Sequence, residues 1–176
     1  MFGLFKTKDA APNHDRMADQ LCEIYVSFSN DMKEIYNEIG QYKPAEIHIF
    51  IISATSVMIQ IQTQRGLSEY DMKNIVDKFT KTGLEHLLTY MPSADYELLY
   101  NVFSARFAEY ADLVVSVFNP KPRGNWDFDS ESASLLSVAN VNIGVERDPF
   151  NLAMDALRLH ALLMDLLDSV CKLFKF

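Results

Sequence analysis

The chain has 176 residues, of which 49% are hydrophobic and 23% charged, a composition typical of one globular domain and not of a disordered segment. Its formal net charge is −8 and its Lys and Arg residues are scattered, so the basic patch that nucleic-acid binding requires is missing and we expect no nucleic-acid partner. The start of the chain lacks the apolar core of a signal peptide. The longest apolar stretch, 47–61, is short and interrupted by polar residues, which predicts no transmembrane segment and a cytoplasmic protein.

Residues 1–12 are predicted to form a flexible N-terminal leader, and residues 13–176 a single helical domain. Asn13 or Asp15 can cap the first helix, and Gly40 supplies its end. Apolar residues recur at steps of three and four, which is the spacing of one helical face. These residues are Met17, Leu21, Ile24, Tyr25, Phe28, Met32, Ile35, Tyr36 and Ile39.

The second element, 44–65, admits two interpretations. Ile47, Ile49 and Ile51 alternate with other residues, as they would in a β-hairpin, but the intervening residues 53–56 lack the Gly or Asn that tight hairpin turns favour. As a helix, the segment has an apolar face of Ile47, Phe50, Ile51, Ala54, Val57, Met58 and Ile61. A polar face of Glu46, Ser53, Ser56, Gln60, Thr63 and Gln64 lies opposite. We predict a largely buried central helix.

The next segment is predicted to form two further helices. Ser68 and Asp71 resemble a capping box at the start of a third helix, within which Gly83 is a candidate kink. Pro92 ends that helix, and we expect Ser93 to cap the fourth. The fourth helix carries an apolar set of Leu98, Leu99, Val102, Phe103, Phe107, Tyr110, Val114, Val117 and Phe118.

Prolines and a glycine predict a loop over 119–129. A shorter helix follows from Ser130 to about Ile143, although its last residues alternate and could equally be extended. Asp148 and Pro149 begin the last helix, whose predicted stripe is Phe150, Ala153, Leu157, His160, Leu163, Leu167, Val170, Cys171 and Phe174. The sequence therefore predicts an all-α, compact antiparallel bundle of five to six helices. Long helices of this kind could also pair with a second copy in a homodimer.

Familiar catalytic motifs are missing from the sequence. It contains no Gly-x-Ser-x-Gly elbow, no phosphate-binding glycine loop and no Glu-x-x-His pair for a di-iron site. Cys22 and Cys171 stand alone near opposite ends of the chain, which favours buried free thiols over a zinc site. We therefore expect no cofactor and no metal, and the sequence favours a protein that is not an enzyme.

Two surfaces remain as candidates for binding. The loop residues Lys121, Arg123, Trp126 and Phe128 combine the only Trp with basic side chains, as protein-binding hot spots often do. We therefore expect a non-catalytic protein–protein interaction module, an adaptor, inhibitor or escort that binds an unknown protein. The alternative is a bundle that binds a small molecule in an apolar cavity, lined by His48, His160, Tyr25 and Tyr110.

Overall fold

The computed structural model describes residues 13–37, 42–63, 67–118 and 130–174. Within these ranges the chain forms six helices and no strand, which confirms the predicted all-α, compact antiparallel bundle. The helices are α1 (His14–Asn37), α2 (Pro44–Thr63), α3 (Glu69–Leu88), α4 (Tyr96–Phe118), α5 (Ser130–Ile143) and α6 (Pro149–Phe174). The predicted leader, 1–12, and the predicted loop, 119–129, lie outside the described residues.

Helix α2 is the centre of the bundle and contacts all five other helices. The helical interpretation of this segment was therefore right. Its predicted polar face was wrong at Ser53 and Ser56, which are as buried as the isoleucines, whereas Gln60 is exposed as predicted. A helix that is apolar nearly all round is stable only when it is covered on every side. Ser53 and Thr55 satisfy their hydroxyls by donating to the Ile49 and Ile51 carbonyls at 2.8 Å.

The same helix is the one described element that is long and apolar enough to cross a membrane. The qualifying segment is Pro44–Ile61, and 72% of it is buried inside the fold. Its apolar composition is therefore accounted for by its position as the core helix.

Side-chain caps define the beginnings of α1 and α3. The Asn13 side chain accepts a hydrogen bond from the Arg16 backbone N–H at 3.1 Å. At α3 the Ser68 hydroxyl accepts from the Asp71 N–H at 3.0 Å and donates to the Asp71 carboxylate at 2.6 Å. Both predicted caps are therefore present.

Of the two later caps, the prediction for α6 was correct and the prediction for α4 was wrong. Asp148 caps α6, since its carboxylate accepts from the Phe150 and Asn151 N–H groups at 3.0 and 3.1 Å. The predicted cap of α4, Ser93, was wrong because the helix begins two residues later. Asp95 accepts from the Leu98 N–H at 2.7 Å instead.

Neither predicted irregularity interrupts a helix. Helix α3 continues past Gly83 without a break, and α5 remains helical to Ile143. Gly144 then ends α5 with a positive φ of 84°, and the N–H groups of Gly144 and Val145 both donate to the Asn140 carbonyl at 2.9 Å. This is the usual way in which a left-handed glycine satisfies the last carbonyls of a helix.

The buried face of α6 differs from the predicted stripe at its N-terminal half. Phe150 is 74% exposed and Leu157 is 51% exposed, although both were predicted to point inward. The face that packs on the bundle comprises Asp155, Ala156, Leu159, Leu162, Leu163, Leu166, Val170 and Phe174. Asp155 lies on this face, where it pairs with Arg147 at 2.8 Å while only 7% of its side chain is exposed.

Candidate functional site

The predicted partner-binding residues Lys121, Arg123, Trp126 and Phe128 all fall in 119–129. They lie outside the described residues, so this surface stays a prediction from sequence. The four predicted ligand-binding residues are all described, and the structure places them in three different parts of the bundle.

Tyr25 and His48 are the two of these four that meet. Their ring centroids are 5.9 Å apart in an edge-to-face arrangement. His86 lies 5.9 Å from Tyr25, and Tyr90 lies 6.1 Å from His48 and 5.2 Å from His86. We call these four residues the histidine–tyrosine cluster. Sequence reasoning missed His86 and Tyr90 because nothing in the spacing shows which helix faces meet.

The histidine–tyrosine cluster runs from the core to the surface, since Tyr25 and His48 are buried and Tyr90 is 64% exposed. Tyr25 is fully buried and donates a hydrogen bond to the Gly83 carbonyl. His48 Nδ1 and His86 Nε2 are buried and have no hydrogen-bond partner among the described residues. Burial, with smaller contributions from Lys33 and His86, lowers the pKa of His48 to about 4. His48 is therefore a neutral imidazole at pH 7.

Tyr110, on α4, packs against another side of α2 and belongs to a polar network. Its ring packs edge-on against Phe50 at 5.1 Å, and its hydroxyl accepts a hydrogen bond from the Asn142 amide at 2.8 Å. Asn142 also donates to Glu109 at 2.9 Å. Burial raises the pKa of Tyr110 to about 12. These bonds join α4 to α5 and use the hydroxyl that a ligand would need.

His160 belongs to α6 and faces α5. It is half-buried, and its Nδ1 is 3.2 Å from the Ser132 hydroxyl. Tyr110 and His160 therefore have structural neighbours of their own, and the four predicted ligand residues do not line one cavity together. A role for any of them in ligand binding stays a prediction.

A groove of about 500 Å³ opens at a different place, between α3 and α4, with α2 beneath it. Helices α3 and α4 contact each other sparsely, which leaves the groove open. It is lined by Ser56, Gln60, Val76, Asp77, Thr80, Lys81, Tyr96, Tyr100, Phe103, Ser104 and Phe107. We call it the α3–α4 groove.

Four aromatic rings of α4 form one wall of this groove. Tyr96, Tyr100, Phe103 and Phe107 follow each other at steps of four, three and four residues, which places them on one helical face. Successive ring centroids are 6.2, 6.3 and 5.8 Å apart. From the sequence, Phe103 and Phe107 were predicted only as members of the apolar set of α4, which did not include the two tyrosines.

The second unassigned surface is the outer side of α6. Phe150, Met154, Leu157, Ala161 and Met164 are all exposed and recur at steps of four, three, four and three residues. They therefore form one continuous apolar stripe, which we call the α6 face. Its signal was present in the sequence, since α6 carries more apolar residues than one buried stripe needs.

Comparisons with protein-family models, curated proteins and solved structures gave no match to this chain. Within the described ranges, no group of three or more His, Cys, Asp or Glu side chains is arranged to hold a metal ion. Cys22 and Cys171 form no disulfide, as predicted, but both are partly exposed and not buried as predicted. The α3–α4 groove and the α6 face are therefore the two candidate binding surfaces among the described residues.

Proposed function

We propose that this chain is a non-catalytic protein–protein interaction module whose contact surface is the α6 face. The observation that carries the proposal is the exposed apolar stripe of Phe150, Met154, Leu157, Ala161 and Met164. Single exposed apolar side chains are common on soluble proteins, but contiguous apolar patches usually mark a contact with another molecule.

The spacing of the α6 face favours another helix as the contact. Steps of four and three residues are the heptad pattern by which two helices pack along a shared seam. The stripe spans 15 residues, from Phe150 to Met164, or about 21 Å of helix. Burying a large apolar side chain contributes about 1.5–3 kcal/mol, so four such side chains could sustain association after the entropic cost of binding.

Charge supports the same surface. The chain carries a formal net charge of −8, yet the exposed residues of 149–164, a fully described range, include no acid. Asp155 is in this range but is buried and paired with Arg147. Arg158 is the one exposed charged residue of the segment. Asp148 and Asp165 are exposed just beyond the two ends of this range, but the acid-free segment between them lowers the like-charge repulsion that would otherwise oppose a contact between acidic proteins.

A second copy of the chain is the partner that we propose for this face. In an antiparallel pairing, Phe150 can lie opposite Ala161 while Met154 lies opposite Leu157, and twofold symmetry repeats both pairs. The largest side chain then faces the smallest, which is the size complementarity that packed helices require. The flanking positions bring Asn151 near Arg158, without two like charges facing each other.

The test is an affinity capture from an extract of the source cells, with the tagged chain as bait and mass spectrometry of the bound proteins. Leu157→Glu places a charge in the α6 face. Leu98→Glu is the matched control, because Leu98 is 57% exposed on α4. We expect the wild-type and Leu98→Glu baits to recover the native copy of this chain and the Leu157→Glu bait to lose it. Equal recovery by all three baits would contradict the proposal.

A further inference from the structure

We propose that the α3–α4 groove binds a small, neutral, planar aromatic molecule that carries one hydrogen-bonding group. The inference is independent of the α6 face, because it concerns other helices and another class of ligand. It depends on three features of the groove, namely its wall, its floor and its rim.

The wall provides a surface for stacking. Tyr96 and Tyr100 are nearly parallel, with an interplanar angle of 19°, and Phe103 and Phe107 extend the row. Tyr100 is 47% exposed and Phe103 only 7% exposed, while Tyr96 and Phe107 are partly exposed, so the rings lie at different depths along the wall. Offset stacking and edge contacts with such rings stabilise aromatic ligands beyond the area they bury.

The floor provides hydrogen-bonding groups that the fold does not use fully. Ser56 and Thr80 are buried, and their hydroxyl oxygens are 3.4 Å apart. A hydrogen bond between hydroxyls is normally about 2.7–2.8 Å long, so this contact is weak. Ser53 and Thr55, on the same helix as Ser56, instead donate at 2.8 Å to backbone carbonyls. Ser56 is 0% exposed and Thr80 is 6% exposed, so Thr80 is the floor hydroxyl that a ligand atom in the groove can reach.

The rim and the size of the groove define the ligand further. Asp77 and Lys81 contribute one charge of each sign to the lining, so the groove has no net charge although the chain is strongly acidic. This balance favours a neutral ligand. The volume of about 500 Å³ lies within the range of about 300–1,000 Å³ that is usual for small-molecule sites.

The probes are 2-naphthol, a flat aromatic molecule with one hydroxyl, and naphthalene, its parent without the hydroxyl. Binding is measured by equilibrium dialysis to the full chain carrying Leu157→Glu, so that the outcome does not depend on the α6 face. We expect 2-naphthol to saturate one site. Tyr100→Ala should weaken the binding of both probes at least fivefold, and the control Tyr70→Ala, on an exposed tyrosine outside the groove, should change neither.

The variant Thr80→Val distinguishes the contribution of the hydrogen bond to ligand binding from that of the shape of the groove. We expect it to weaken 2-naphthol at least fivefold and to leave naphthalene within twofold, because a buried hydroxyl discriminates between ligands that can and cannot bond to it. Ser104→Phe, which adds a ring to an exposed lining position, should block both probes. Circular dichroism verifies that each variant is folded. The proposal is overturned if neither probe saturates, if Tyr100→Ala has no effect, or if Thr80→Val weakens both probes equally.

Discussion

The Tyr25 hydroxyl donates a hydrogen bond to the Gly83 carbonyl, with an oxygen–oxygen distance of 3.3 Å. This bond joins α1 to α3 at the point where α2 also comes close. A Cβ added to Gly83 would lie 3.1 Å from Ile52 Cδ1 and 3.7 Å from Tyr25 Cε1. Both neighbours are fully buried, so Gly83 is the residue that lets three helices meet.

Substitutions at Gly83 test this close approach. Gly83→Leu should destabilise the fold by about 2–3 kcal/mol, because a full side chain cannot enter a packed contact without displacing its neighbours. Gly83→Ala should change the stability by less than about 1 kcal/mol, because the better helix propensity of Ala offsets a small shift of the Ile52 methyl group. Urea unfolding followed by circular dichroism measures both. A Gly83→Leu variant as stable as the wild type would show that α3 is not packed as described.

The buried ion pair between Arg147 and Asp155 leads to a second prediction. Arg147→Met should destabilise the fold by about 3 kcal/mol, since removing one partner leaves the other charge buried and poorly paired. Lys172→Met is the comparison, because the Lys172–Asp168 pair has a similar distance of 2.9 Å but is largely exposed. We expect the Lys172→Met variant to keep the urea midpoint of the wild type. Equal effects of the two substitutions would contradict the burial of Asp155.

His48 should make the stability depend on pH. Its pKa falls from 6.5 to about 4 on folding, so the unfolded chain binds the proton more tightly than the folded chain. The contribution to stability is therefore fully present above pH 6.5 and is lost as the pH falls towards 4. Between pH 7.5 and pH 4.5 we expect His48 to account for a loss of about 2 kcal/mol.

The variant His48→Leu isolates this effect from the carboxylates, which titrate in both proteins. Urea unfolding of the wild type and of the variant is compared at several pH values. The difference in unfolding free energy should shift by about 2 kcal/mol in favour of His48→Leu as the pH falls, because the leucine cannot be protonated. Parallel stability profiles would show that the His48 imidazole is not shielded from solvent in the fold.

The fold was predictable from sequence because its signals are local. Asn13, Ser68 and Asp148 are good caps, and they form caps in the structure. In the segment 44–65 the absence of a turn residue correctly favoured a helix over a hairpin. Ser93 and Asp95 show the limit of this reasoning, since both can cap a helix and only the packing of α4 decides between them.

The candidate sites were less predictable because they depend on which helix faces meet. Tyr25 and His48 come together, but His86 completes their cluster from a third helix that no spacing rule connects to them. On α6, Leu157 and Leu159 are equally apolar in the sequence. In the structure Leu159 packs into the bundle, on the same side of α6 as Asp155, and Leu157 points outward.

Sedimentation equilibrium of the purified chain measures self-association through the α6 face. We predict a concentration-dependent dimer for the wild type and for Leu98→Glu, and a monomer for Leu157→Glu with unchanged helix content. Placing a charge in a buried apolar seam should weaken association at least a hundredfold, or about 2.7 kcal/mol. A wild-type chain that remains monomeric at concentrations of about 100 μM, or a Leu157→Glu variant that dimerises as well as the wild type, would contradict the account.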